Sequence, residues 1–301
     1  MVAFLLPNSP SKTLEGLDIE RVYGNLLEES SVHQACQGCD AVIHAAANTS
    51  IWPSRSEMVR KVNIDGTKYL IDGAVAAKVK RFIYIGTANS FGFGSKEAPG
   101  NETRPYLGAQ YGLDYMDSKY EAQKLVLQAV KEQGLPALTV NPTFMLGPYD
   151  SKPSAGAMIV AIFKGKVPGY TSGGRNYIYV KDVAEAIVNG LTMGRVGESY
   201  IAGHHNMNYQ EAFTKIAQTI GVKPPKLNIP AIFSLLYGRI GNGMSALTGK
   251  APTVSLPMAR ISTDEHYFDA SKAIQELQLP QTPIEQAIRE SFEWMRQNGI
   301  C

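Results

Sequence analysis

The sequence is poor in cysteine, with three in 301 residues, at Cys36, Cys39 and Cys301. That excludes a disulfide framework. Cys36-Gln-Gly-Cys39 spells a C-x-x-C pair, which offers a redox or a metal reading, but zinc needs two further ligands and no second pair exists, so two buried thiols at a helix-to-strand junction are expected instead. Adjacent imidazoles at His204 and His205 are expected to point apart in a polar loop, and no metal site is expected. Charge of one sign is also missing: 29 Lys and Arg stand against 27 Asp and Glu, a formal net charge of +2. Without a basic run or basic residues interleaved with aromatics, a nucleic-acid partner is excluded. No uninterrupted apolar stretch approaches the ~20 residues a spanning helix needs. Met1 to Leu6 is too short for a leader and lacks its charged flank, so no membrane partner is expected and the cytoplasm is the default compartment.

Hydrophobic content of 44% and charged content of 19% permit a sizeable core. No internal repeat or low-complexity segment interrupts the chain. Strand-like and helix-like stretches alternate instead: Val2 to Leu6, then Asp18 to Tyr23 as strands, Glu28 to Cys36 helix, Asp40 to Ala46 strand, Met58 to Ala77 helix, Arg81 to Gly86 strand, Tyr111 to Gln133 helix and Ala137 to Pro142 strand. Strands separated by helices of this length predict an α/β fold whose parallel sheet is covered on both faces. After Gly147-Pro148 the alternation loosens and Gly, Pro and Met increase. The expected division is a main domain at 1–147 and 177–203 and a smaller, discontinuous lobe at 148–176 and 204–301.

Chemistry concentrates at Tyr115-Met-Asp-Ser-Lys119, inside a predicted helix. The i, i+4 spacing puts phenol and ammonium on one face. A phenol titrates near 10, so it exchanges protons at neutral pH only when a cation stabilises its phenolate. Lys119 is placed to supply that charge. Upstream, a strand ends in Ile85-Gly86-Thr87, which sets a hydroxyl at the carboxyl edge of the sheet, where open α/β folds bind ligands. Thr87 either shares a substrate oxygen with Tyr115 or caps a turn.

Six stretches in order, Asp40 to Ala47 (DAVIHAAA), Val62 to Thr67 (VNIDGT), Arg81 to Thr87 (RFIYIGT), Tyr115 to Lys119, Asn141 to Pro148 (NPTFMLGP) and Tyr179 to Ala184 (YVKDVA), resemble the extended short-chain dehydrogenases/reductases. Tyr267 to Ala273 (YFDASKA) and Thr282 to Glu285 (TPIE) extend the likeness to the carboxyl end. Within that group, the NAD-dependent epimerase/dehydratases and especially their dihydroflavonol-reductase-like branch are similar. The resemblance implies a Rossmann-type doubly wound sheet and NAD or NADP as cofactor. It implies Thr87, Tyr115 and Lys119 as the catalytic group, with Tyr115 as general acid/base and Lys119 also binding the nicotinamide ribose. It further implies that Asn25, Leu26, Ala45, Ala46, Ala47, Asn63, Pro142 and Thr143 lie along the cofactor. Asn89, Ser90, Met145 and Arg175 are implied on the substrate side, and the helix from Lys119 as a homodimer contact; the amphipathic stretch 284–297 is a second candidate for one. His44, inside a matched stretch, is expected to be structural.

Several positions depart from the family pattern. Asn25 stands where aspartate is usual, Gly86 where serine is, and Asn141 where arginine is common. Ala88-Asn89 replaces the Asp-Glu pair of the dehydratases, so elimination of water is not expected. Arg175, shortly before Val180-Lys181-Asp182, fits pyrophosphate recognition by sugar-nucleotide epimerases. Against that stands an apolar inventory suited to a hydrophobic carbonyl or alcohol, including Phe91, Phe93, Leu146, Phe233, Leu236, Tyr237 and Met244. Oxidoreduction of a carbonyl/alcohol pair is therefore expected, with sugar-nucleotide epimerisation as the alternative. Read against the family, Val2 to Leu6 is the second strand, and Pro7 to Lys12 the loop beneath the adenine ribose. The first strand, its glycine-rich turn and first helix are missing. That predicts an internal start at Met1, and with it a third alternative, a catalytically impaired or non-catalytic nucleotide-binding chain.

Overall fold

The computed structural model describes residues 1–9 and 12–301, Lys12 without its side chain. The part of the expected ribose loop at Pro10, Ser11 and the Lys12 ammonium thus lies outside the described residues. The chain runs β1 (Val2–Leu5), β2 (Glu20–Tyr23), α1 (Glu29–Cys36), β3 (Ala41–His44), α2 (Glu57–Arg60), a π turn (Lys61–Asp65), α3 (Gly66–Ala76), β4 (Arg81–Ile85), α4 (Asp114–Gln133) and β5 (Ala137–Pro142). It continues through β6 (Phe144–Leu146), α5 (Ala157–Phe163), β7 (Gly169–Tyr170), β8 (Gly174–Tyr179), α6 (Val180–Asn189), β9 (Ser199–Ala202), β10 (His205–Asn208) and α7 (Tyr209–Thr219). It closes with β11 (Leu227–Asn228), α8 (Ala231–Thr248), α9 (Leu256–Ile261), β12 (Glu265–His266), α10 (Ser271–Leu277) and α11 (Ile284–Gln297).

Strands β3, β4, β5 and β9 form a parallel sheet in that order, with His44 opposite Tyr84, Ile85 opposite Val140 and Pro142 opposite Ala202. Successive side chains of a strand point to opposite faces, and the core divides accordingly. Phe82 and Tyr84 pack with Ile71, Ala122 and Val126 of α3 and α4, whereas Ile83 packs with Val183, Ala186 and Ala273 of α6 and α10. Helices thus cover both faces, the doubly wound arrangement expected. β1 and β2 pair in parallel as a separate two-stranded piece, not hydrogen-bonded to the larger sheet.

The lobe is built on β8, which pairs with β10, β12 and β6. Its core joins Leu146, Tyr177, Met207 and Phe213 to Ile284, Ile288 and Phe292 of α11. The apolar face of α11 is therefore spent within the chain. The stretch from Tyr177, expected to return to the main sheet, starts instead in β8 of the lobe sheet, while Ile178 of that strand and the following helix α6 pack on the main sheet. One expected helix is also shortened and another interrupted. Gly112, with φ 63°, ends a preceding 3-10 turn, so α4 begins at Asp114. The stretch from Met58 to Ala77 is interrupted by the π turn. Among the described residues no helix is long and apolar enough to cross a membrane.

Candidate active site

The parallel register puts the ends of β3, β4, β5 and β9 at one edge, so Ala45 to Ala47, Gly86-Thr87 and Thr143 all emerge there. Thr87 is buried beyond the end of β4, and its Oγ1 accepts from the Asn89 amide at 3.3 Å. It therefore does cap a turn, and it also reaches the phenol of Tyr115. Burial pushes the Tyr115 phenol above its ordinary value, and the Thr87 hydrogen bond pulls it down. One turn along α4, Lys119 is 4% exposed. Its Nζ donates to Ile85 O at 2.6 Å and lies 4.3 Å from the centroid of the Tyr84 ring. No carboxylate neutralises it among the described residues. Burial alone brings it down to about 7, so the ammonium is held where losing its proton costs little.

Asn63 sits in the π turn, a distortion that often marks a functional position. Its Oδ1 accepts from Asn48 N at 2.7 Å, and its Nδ2 donates to Asn48 O at 3.0 Å and to Ser118 Oγ at 2.9 Å. This amide ties the small-residue turn after β3 to the helix that carries Tyr115 and Lys119. Asn63→Asp loses both donor bonds, so cofactor affinity is expected to fall by roughly tenfold, more than substrate affinity, in a binding titration. The expected structural role of His44 matches its surroundings: it is buried, Nε2 lies 2.9 Å from Thr67 Oγ1, and burial brings it to about 3.

Two departures from the family pattern meet in space. A Cβ on Gly86 would collide with Asn141 Oδ1. Asn141 in turn donates to Thr139 Oγ1 at 2.7 Å, while its Oδ1 and Gln123 Oε1 are buried without partners among the described residues. Gly86 is thus fitted to this buried amide. Gly86→Ala is expected to destabilise the fold by about 1–3 kcal/mol in denaturant titrations, and Gly86→Ala/Asn141→Ala to recover part of that loss.

Other expected residues are placed less directly. Asn25 turns its Oδ1 to the Leu27 amide at 3.0 Å, and Leu26 packs against Gly66. Ala45 and Ala46 are exposed, Ala47 is half-buried, and Pro142 is buried in the sheet. Thr143 donates its hydroxyl to Asn176 Oδ1 at 2.8 Å. Ser90 is buried with a hydroxyl unpartnered among the described residues, Asn89 is half-buried and Met145 is exposed on β6. Arg175, on β8, donates Nε to Tyr209 Oη at 2.9 Å and stacks 5.1 Å from the Phe144 ring centroid, with no carboxylate in ion-pair range among the described residues. Part of the apolar inventory is displaced. Phe233, Leu236, Tyr237 and Met244 face outward on α8 rather than lining the site. His204 and His205, expected to point apart, stack at 3.6 Å.

Two groups escape a reading by motif. Asn176, 2% exposed, also donates to Asn206 Oδ1 at 2.7 Å and accepts from His204 N at 2.9 Å, so one amide locks the lobe sheet to Thr143. Beside it, Tyr111 Oη contacts His266 Nε2 at 3.0 Å and Asp264 Oδ2, and Phe93 stacks on His266 at 4.1 Å. Burial and the nearby Arg175 hold His266 at about 3, neutral at physiological pH. A cavity of about 320 Å3 opens beside this group, bounded by Tyr111, Asp264, Leu235, Arg239 and Arg260. These residues come from segments far apart in the chain, so no spacing rule could have joined them.

A family model described as the NAD dependent epimerase/dehydratase family matches residues 5–203. A protein named putative dihydroflavonol 4-reductase from Synechocystis is 31% identical over 99% of this chain and 88% of its own length. Sterol demethylase protein B of Methylococcus capsulatus is 26% identical, over 99% and 91% respectively. Among solved structures, gox2253 superposes with a TM-score of 0.85 at 31% identity, covering 99% of this chain and 90% of that one.

Proposed function

Since the chain belongs to the NAD-dependent epimerase/dehydratase family, and is on that ground an NAD(P)-dependent enzyme, we propose that it interconverts a lipophilic ketone and alcohol. The observation that carries this reading is the convergence of Thr87, Tyr115 and the buried, carboxylate-free Lys119 at the carboxyl edge of the parallel sheet. The chemistry a nicotinamide supplies when bound is hydride transfer. The residues fit its ribose half: Lys119 offers donors with no competing carboxylate, and the exposed Ala45 and Ala46 let a ligand approach the backbone. A glycine-rich phosphate turn is not found among the described residues, and no residue is assigned to that contact.

In the reducing direction, as hydride reaches the carbonyl carbon, Tyr115 gives its phenolic proton to the carbonyl oxygen and becomes phenolate. Lys119 stabilises that phenolate and Thr87 holds the oxygen. In oxidation the same phenolate takes the alcohol proton. Ala88-Asn89 offers no carboxylate pair for eliminating water. The lipophilic substrate is supported by the aromatic cluster of Phe93, Tyr111 and His266 and by relatives whose names refer to a sterol and a flavonol. A panel of ketones and alcohols assayed with NAD(H) and NADP(H) tests the reading; no cofactor oxidation or reduction with any apolar member would sink it.

Arg175 supports a second reading, sugar-nucleotide epimerisation, because its guanidinium meets no carboxylate. Arg175→Met separates the two. Oxidoreduction of a neutral ketone is expected to change by less than about threefold, whereas recognition of a pyrophosphate would weaken by roughly 100-fold, read as KM for each substrate.

A further inference from the structure

Helix α8 turns its small residues inward and its large apolar residues outward. Gly238, Gly241 and Ser245 form the inner face. A Cβ on Gly238 would meet Ala259 Cβ at 2.9 Å and Leu256 Cα at 3.0 Å, and one on Gly241 would meet Val254 O at 2.5 Å. This side is therefore pressed onto α9 and the segment leading to it. On the other side Ile232, Phe233, Leu236, Ile240, Met244 and Leu247 are exposed, Ile232 at 71% and Leu247 at 89%. At 3.6 residues per turn these six fall within an arc of roughly 120° that holds no charged residue. A helix on a water-facing surface has the opposite sense, with its apolar stripe on the core. A contiguous exposed apolar face of this kind marks a contact surface.

The charge around that face identifies what it contacts. From Ala212 to Thr263 the chain has no Asp or Glu, although 27 occur in the whole sequence. Lys223, Lys226, Arg239, Lys250 and Arg260 are all exposed, and none joins an ion pair among the described residues. Lys226 and Lys250 bracket the helix and Arg239 borders its apolar arc. A second copy of this chain would set these cations against one another across a symmetric contact. An anionic lipid surface satisfies both halves of the pattern, with apolar side chains at the acyl boundary and cations among the headgroups. We propose that α8 is an interfacial helix that docks the protein on an anionic lipid surface. Leu235 and Arg239 of this helix also bound the cavity beside Tyr111, so docking brings that cavity to the lipid. This last connection rests on the lipophilic-substrate reading; the docking itself does not.

The test is flotation of the full chain with vesicles of phosphatidylcholine alone and with roughly a third phosphatidylglycerol. Flotation with the anionic vesicles is expected, weakened by salt. Leu236→Ser/Ile240→Ser/Leu247→Ser should weaken it by at least about tenfold, with an unchanged circular dichroism spectrum because all three side chains are exposed. Lys226→Glu/Lys250→Glu should remove the preference for anionic vesicles. Absence of flotation, equal flotation of the triple variant, or equal binding to neutral vesicles would each overturn the proposal. So would a dimer in light scattering that the triple variant dissociates while vesicles are ignored, which would assign the face to a second copy. Tyr115→Phe should float like the unaltered chain, so failure of the catalytic reading and failure of docking are read separately.

Discussion

Tyr115→Phe is expected to lower turnover by roughly 10²–10⁴-fold, the usual contribution of a positioned acid/base. Phenylalanine keeps the ring and its packing in the first turn of α4 but has no proton to give, so the substrate oxygen must take one from water. Cofactor affinity should stay within about threefold of the original, because the amide of Asn63 and the ammonium of Lys119 are untouched. Single-turnover and binding measurements together check this. Retained turnover would remove Tyr115 as the proton donor, and a parallel loss of cofactor affinity would mark it as structural.

Lys119→Met should combine a large loss with a gain. Turnover is expected to fall by at least about 100-fold, since the phenolate formed at Tyr115 loses its stabilising cation. The free protein, however, should become more stable. Burial lowers Lys119 from 10.5 to about 7. Between those values the unfolded chain keeps the proton and the folded chain gives it up, so stability rises with pH across that window, and the full burial cost is carried below 7. That cost is on the order of 4–5 kcal/mol, offset by about 1–3 kcal/mol for the bond to Ile85 O that methionine cannot make. Lys119→Met should therefore melt several degrees higher at pH 6, with a smaller advantage at pH 9. A lower melting temperature at pH 6 would show that the ammonium is well accommodated without ligand and would remove the argument that its burial serves chemistry.

The order of elements along the main domain was legible because strands and helices leave different apolar periods. Phe82 to Ile85 and Ala137 to Pro142 could be read from their own residues. So could the Tyr115–Lys119 pair, since one helical turn fixes their relation. The outcome at Gly86 was not legible: only the closeness of the Asn141 amide explains why no side chain fits there. Nor was the lobe, whose sheet assembles β6, β8, β10 and β12 from segments spread over more than a hundred residues. Residues of α8 that looked like a lining for an apolar substrate proved to face outward. Composition counts apolar side chains but does not orient them.

The sequence by itself determined the alternating α/β plan, the phenol and ammonium on one helical face, the hydroxyl that ends β4 and the acid-free stretch from Ala212 to Thr263. These depend on residues near in the chain, where backbone geometry fixes what adjoins what. Tertiary structure alone decided that Asn176 locks the lobe to Thr143, that Tyr111, His266 and Asp264 meet beside a cavity, and that α8 presents its large side chains to the outside. Those relations arise where distant segments compete for the same buried space, and small residues such as Gly238 and Gly241 settle which face of a helix can come close enough to be covered.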